Sequence, residues 1–209
     1  MFFIEGGSVI DTEDSKWIVY TVHKLVGDVE SIVGFSSCYP YYHYHKTQQG
    51  QVRLRISQFL ILPPYQNSSH GAKLYDTMWE SFLSDSSVRQ VAVEDPSDVF
   101  DDLRDKRDLA RLERLGIFSS DSFKAPVSRA WINAQHAEQK MTPRQFQRCM
   151  EMALLKRLDS SNAEDLRNYR LQVKGRLYRH NKVRKRFQKK HFHKIMLLTN
   201  IYIYIYRNN

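Results

Sequence analysis

The chain has 209 residues, 42% hydrophobic and 26% charged. That suffices for one or two domains with a sizeable core and excludes a disordered or collagen-like chain. The net charge of +9 suggests nucleic acid, yet it is unevenly placed: Lys174 to Lys194 holds ten Lys/Arg and no acid, and Arg207 adds one more. Residues 1–173 carry 21 basic against 23 acidic side chains, so a basic tail follows a slightly acidic body. Cys38 and Cys149 match neither a metal spacing nor a disulfide framework, and reduced thiols in an intracellular protein are expected. No apolar run approaches the ~20 residues that cross a bilayer. Phe2-Phe3-Ile4-Glu5 after Met1 lacks the basic opening of a signal peptide, and the chain starts already inside a hydrophobic segment.

The first hundred residues read as mostly strand. Trp17 to Val26 is rich in β-branched and aromatic residues, Gly27-Asp28 offers a turn, and Glu30 to Tyr44 resumes the pattern. After a polar break at Lys46 to Gly50, Arg53 to Leu62 is a strand stopped by Pro63-Pro64. Gln66 to Gly71 is a polar loop, Ala72 to Leu83 has helical spacing in Leu74, Met78, Trp79 and Phe82, and Arg89 to Glu94 is a short strand. Strand, loop, helix and strand close most naturally as a right-handed crossover with the two strands parallel. Antiparallel hairpins precede it, so the sheet should be mixed.

Beyond Pro96 the pattern turns helical. Asp98 to Leu115 carries Leu103, Leu109, Leu112 and Leu115, and Gly116 stops it. Thr142-Pro143 opens a helix to about Leu158, and Ser161 to Glu164 has capping-box spacing for another to about Leu177. A small helical appendage is expected at roughly 120–180. The closing Ile-Tyr alternation, 201–206, would give two large sticky faces. An in-frame AT repeat encodes the same residues, so a gene-model or splicing error is the expected origin.

The stretch with most chemistry is strand 53–62, loop 66–71 and the helix beyond. A helix N-terminus after a tight polar loop presents unpaired N–H groups and a positive dipole end, which suits a pyrophosphate. Without context, Gln66-Asn67-Ser68-Ser69-His70-Gly71-Ala72 is equally an ordinary strand–helix connection.

Several segments in order supply that context: Arg55 to Gln66 (RISQFLILPPYQ), His70-Gly71-Ala72, and Val93-Glu94-Asp95-Pro96. Phe3-Ile4-Glu5 with Ile10-Asp11, Phe100 to Asp105, and Asn168 to Leu171 add to them. Together, over roughly residues 2 to 180, the chain resembles the catalytic subunit of the type B histone acetyltransferases, a GNAT-superfamily family. The resemblance implies an α+β fold: a mixed, mostly antiparallel GNAT-like sheet with a central parallel splayed strand pair, followed by a small helical C-terminal domain. It divides the chain into an acetyl-CoA-binding core at 1–118, a helical domain at 119–180, and a basic, low-complexity and disordered tail at 181–209. The family's separate N-terminal domain is expected to be missing.

For the site, the resemblance implies acetyl-CoA as co-substrate and no metal. Backbone groups of Phe59, Leu60 and Ile61 would face the pantetheine arm and polarise the thioester carbonyl. Gln66, Asn67, Ser68, Ser69, His70, Gly71 and Ala72 would cradle the pyrophosphate, with Ser97 also at the cofactor. Asn67 and Ser69 depart from the family, which has glycines there that reach φ > 0 freely; Asn tolerates that region and Ser tolerates it less, so weakened cofactor binding is expected. Near pH 7.4 only about 0.1% of a lysine amine is neutral, so a base is useful. Glu94 takes the family's base position, with Asp95 and Glu5 as acidic neighbours that attract a basic peptide. Strand alternation would let only one of Glu94 and Asp95 face the cleft.

Tyr39 to His45 holds four tyrosines and two histidines, a pattern weak for metal and ordinary for packing. The resemblance sets it along a histone-tail groove near the docking surface of a WD-repeat histone chaperone, with Tyr39 and Tyr41 as substrate contacts. The implied function is acetyl transfer to lysines of newly made core histone tails, in nucleus and cytoplasm, with no membrane partner. Two alternatives stay open: a catalytically impaired fragment that binds histone or chaperone, and a nucleic-acid binder acting through 174–194, where a solvated helix extension is the ordinary reading of the charge run.

Overall fold

The computed structural model describes residues 9–42, 50–120, 122–179 and 181–182. Glu5, the histidines of the tyrosine-rich strip and most of the basic tail lie outside them. Two compact units are seen. The first runs to Phe123 and takes in Val127–Lys156; the second comprises Lys124–Pro126 and the chain from Arg157 on.

Four strands form one sheet in the order β1 (Ile18–Val26), β2 (Val29–Tyr42), β3 (Val52–Ile61), β4 (Val88–Val93). The first two make a hairpin in which Gly27, at φ 61, begins a two-residue turn matching the twist of its strands. β2 and β3 are antiparallel, and β3 and β4 are parallel. Between them runs α1 (His70–Ser84), which buries Leu74, Tyr75, Met78, Trp79 and Phe82 and packs against all four strands. Leu54 and Ile56 of β3 and Val33 and Cys38 of β2 meet it from the sheet. Five buried side chains at about 1.5–3 kcal/mol each hold this helix on its sheet.

The mixed sheet and parallel pair are as expected, but among the described residues the pair ends the sheet rather than occupying its centre. The free edge of β4 is met by a turn: Val91 N–H donates to Lys140 O at 2.7 Å. Lys140 Nζ in turn donates to the carbonyls of Phe82, Leu83 and Asp85, filling the open C-terminus of α1.

α2 (Asp98–Arg114) buries a face that, of the four leucines, only Leu112 shares fully. Arg104, Asp105, Asp108, Arg111 and Leu112 are inside, while Leu115 is exposed. Asp108 is fully buried; it accepts from Tyr75 Oη at 3.0 Å, Gln145 Nε2 at 3.1 Å and Arg111 at 3.1 Å. Burial pushes its carboxyl upward, and the arginines beside it pull the other way.

α3 (Arg129–Glu138) escapes sequence reading because only Ile132 is buried. Its Trp131 joins Phe118, Phe123 and Phe146 in an aromatic cluster with ring centres 5.0–6.5 Å apart. α4 (Pro143–Arg157) supplies Phe146 and Gln145. These contacts draw α3 and α4 into the sheet's unit. In the second unit residues 163–179 form α5, capped by Asn162, whose Oδ1 accepts from Glu164 and Asp165 N–H; Ser161 instead bonds Asp159.

Candidate active site

The β3–β4 ladder stops early. Its last bond is Glu94 N–H to Ile56 O at 3.0 Å, whereas β3 continues to Ile61. From Ser57 onward one side of β3 is open. A register shift leaves Ser57 as an extra residue opposite Ser37/Cys38. Its consequence is a change of phase. Ile56 turns its carbonyl to β4, but Leu62 N–H donates to Val33 O on β2. Alternation back from Leu62 turns the backbone of Leu60 to β2 as well, and leaves Phe59 and Ile61 facing the opening. The backbone of Leu60 therefore faces β2, although the residue lines the opening.

Two adjoining depressions fill the opening. One, of about 490 Å³, is lined by Phe59, Leu60, Ile61, Gln66, Asn67, Ser69, His70, Gly71, Ala72 and Ser97. Ser68 is absent from that lining; its hydroxyl donates to Gln66 O. Gln66 Nε2 donates to Ile61 O at 2.8 Å, which ties the loop to the strand end. Asn67 (φ 58) and Ser69 (φ 62) both sit in the left-handed region, where a glycine would be free. Ser69 precedes α1 without capping it by side chain. The other helices of this unit have such caps, Ser97 on Phe100, Ser128 on Trp131 and Thr142 on Gln145. The first N–H groups of α1 thus point into the depression unfilled by any side-chain cap. Open strand amides, an uncapped helix start and left-handed loop residues fit a pyrophosphate-bearing thioester cofactor.

The second depression, about 380 Å³, is lined by Ser57, Gln58, Phe59, Glu94, Asp95, Pro96 and Ser97 among others. Both acids line it, contrary to the alternation argument. β4 ends at Val93 and Asp95 takes φ 33, so strand geometry no longer applies. Glu94 is held from two sides, by Arg55 Nη1 at 2.9 Å and by the bulged Ser57 Oγ at 3.0 Å. Arg55 lies over the Tyr41 ring at 4.2 Å, and Tyr41, Tyr39 and Trp17 continue edge to edge at 5.1 and 5.0 Å. Tyr39 Oη donates to Asp14 at 2.8 Å. That carboxylate raises the Tyr39 hydroxyl, while the Lys16 N–H and Tyr39 lower Asp14.

Arg55, Ser57 and Asp14 were not anticipated. Alternation in Arg53-Leu54-Arg55-Ile56 sets the arginines on the outer face of β3, but only the parallel register brings Glu94 beside Arg55. Both cysteines are buried; burial pushes the Cys38 thiol up to about 12 and Cys149 upward as well. Neither lines the opening.

The family described as Fungal HAT1, C-terminal matches residues 105–159. Histone acetyltransferase type B catalytic subunits match more widely. That of Schizosaccharomyces pombe is 42% identical over 181 residues, covering 87% of this chain and 48% of that protein. Those of Mycosarcoma maydis and Cryptococcus neoformans are 38% and 37% identical, again over 87% of this chain and over 42% and 46% of theirs. Among solved structures, an acetyltransferase from Vibrio fischeri aligns at 22% identity over 39% of this chain and 63% of that one, with a TM-score of 0.32. An aminoglycoside acetyltransferase from a soil metagenome aligns at 20% over 53% and 69%, with 0.36. Overlaps so partial leave the fold to rest on its own strand order. By sequence, the chain is similar to the type B histone acetyltransferase catalytic subunits over 87% of its residues and spans about half of their length.

Proposed function

We propose that this chain binds acetyl-CoA in the opening between β3 and β4 and acetylates lysine side chains of core histone tails. The observation that carries the reading is the early end of the β3–β4 ladder. It sets unpaired backbone groups and an uncapped helix start beside a carboxylate oriented by two partners. Acetyl-CoA would supply the acetyl group as a thioester. Phe59 and Ile61 N–H groups would orient it, and the loop from Gln66 to Ala72 with the α1 N-terminus would take its phosphates. Glu94 would receive the proton of the attacking lysine amine on a carboxylate oxygen, with Arg55 and Ser57 fixing its direction. Asp95 beside Glu94 would suit a basic peptide, and Tyr39, held by Asp14, and Tyr41 would line its path. Transfer would be direct, the thioester C–S bond breaking as the amide C–N bond forms and coenzyme A leaving as its thiolate, since the buried, raised cysteine thiols offer no nucleophile.

By the same resemblance the proposed partners are a histone tail and a WD-repeat histone chaperone, in nucleus and cytoplasm. Calorimetry with acetyl-CoA and acetylation of a histone tail peptide test the reading. Binding with activity that Glu94→Gln removes is expected; absence of acetyl-CoA binding overturns it. One second reading has its own observation. The Cβ atoms of Asn67 and Ser69 occupy left-handed positions in the phosphate loop, which favours an impaired chain that retains histone or chaperone binding. Peptide binding without acetyl-CoA binding identifies that case.

A further inference from the structure

A third depression, of about 280 Å³, adjoins the one that Glu94 lines and shares Val93 and Pro96 with it. Four arginines face it, Arg53 from β3, Arg104 from α2, and Arg144 and Arg148 from α4, against one acid, Asp101. Their charges are unequally balanced. Arg148 is taken by Asp101 at 3.1 Å and by Asp105. Arg104, more than nine-tenths buried, stands 3.7 Å from Asp101 and 3.9 Å from Asp108, and its Nε–H has no hydrogen-bond acceptor. Arg53 and Arg144 are exposed and have no ion-pair partner among the described residues.

The start of α4 adds to them. Its first turn holds no acid, Pro143 has no N–H, and the N–H of Gln145 is taken by Thr142 Oγ1 at 3.3 Å. The Arg144 N–H is left at the positive end of a 15-residue helix. Two guanidinium groups without an ion-pair partner among the described residues, a buried third guanidinium lining the same depression and a helix N-terminus match a dianion better than a monoanion. Guanidinium forks fit tetrahedral phosphate oxygens in pairs.

We propose that this depression binds a phosphate monoester dianion, free or borne on a peptide lying in the neighbouring cleft. The site stands whether or not the chain transfers acetyl groups. The test uses the full chain and two probes, inorganic phosphate and a lysine-containing peptide with or without one phosphoserine. Amide spectra should show phosphate shifting the Arg144 resonance, and anisotropy should show the phosphopeptide binding more tightly than its unphosphorylated form. The double variant Arg53→Glu with Arg144→Glu lies outside the buried network, and thermal unfolding checks that it keeps its fold. It should weaken either probe by about tenfold, as should ~0.5 M salt. A phosphopeptide that binds more tightly than inorganic phosphate marks a peptide-borne group; equal binding marks the free anion. No shift at Arg144, or unchanged binding by the folded double variant, overturns the proposal.

Discussion

Ser69→Gly tests whether the phosphate loop is held in an unfavourable backbone conformation. Ser69 sits at φ 62, ψ 5, where a residue with a Cβ pays about 1–2 kcal/mol against the right-handed region. Its hydroxyl makes no cap hydrogen bond, so removing it forfeits nothing there. Against the gain stands the greater freedom of glycine in the unfolded chain, about 0.4–1 kcal/mol. The balance is a stabilisation of about 0.5–1 kcal/mol, or roughly 1–4 °C in Tm for a domain of this size. Urea and thermal unfolding of Ser69→Gly and Ser69→Ala measure it. The alanine variant keeps the Cβ and should gain nothing. The glycine variant should also bind acetyl-CoA more tightly, because Ser69 lines the depression. Equal stabilisation by alanine and glycine, or destabilisation by glycine, would refute the conformational argument.

Gly34→Ala should be severe for a different reason. A Cβ there would stand 2.4 Å from Leu60 O, so β2 and β3 must part, at about 3 kcal/mol, and scanning calorimetry should show it. Gly71→Ala meets only ordinary contacts at 3.5 Å and should fold normally; a loss of acetyl-CoA affinity at unchanged Tm would mark Gly71 as a close-approach position. Arg55→Met should change stability by less than ~1 kcal/mol, because the pair with Glu94 is partly exposed. It should lower kcat of peptide acetylation more than it changes KM. The Ser87 hydroxyl and N–H hold the Asp85 carboxyl below its usual range. The stability this contributes is present above the ordinary carboxylate value of about 3.9 and is lost as pH falls through the lowered one. Denaturant unfolding at pH 7 and pH 3 should therefore show Asp85→Asn less stable than the parent at pH 7, with the gap closing at pH 3.

Local pattern alone reached most elements of this chain. Alternation and turn residues placed β1 to β4 within a residue or two, and the apolar spacing of Leu74, Met78, Trp79 and Phe82 placed α1. The parallel pairing of β3 and β4 was legible too, because strands joined through a helix return in the same direction. α3 was not, since a helix with one buried residue has no periodicity to read. Neither was the buried face of α2. Asp105, Asp108 and Arg111 look like part of a solvated charge run until Tyr75, Gln139, Gln145 and Arg148 arrive from elsewhere to bond them. The opening shows the same division. Glu94, Phe59 and the loop at 66–72 came forward through the family resemblance, which rests on the order of several segments rather than on the local chemistry of any one of them. Which backbone groups face the cleft depends on one extra residue at Ser57, and which side chains hold Glu94 depends on the register of β3 against β4. Register and bulges are settled by pairing between distant segments, so they emerge only when the strands meet.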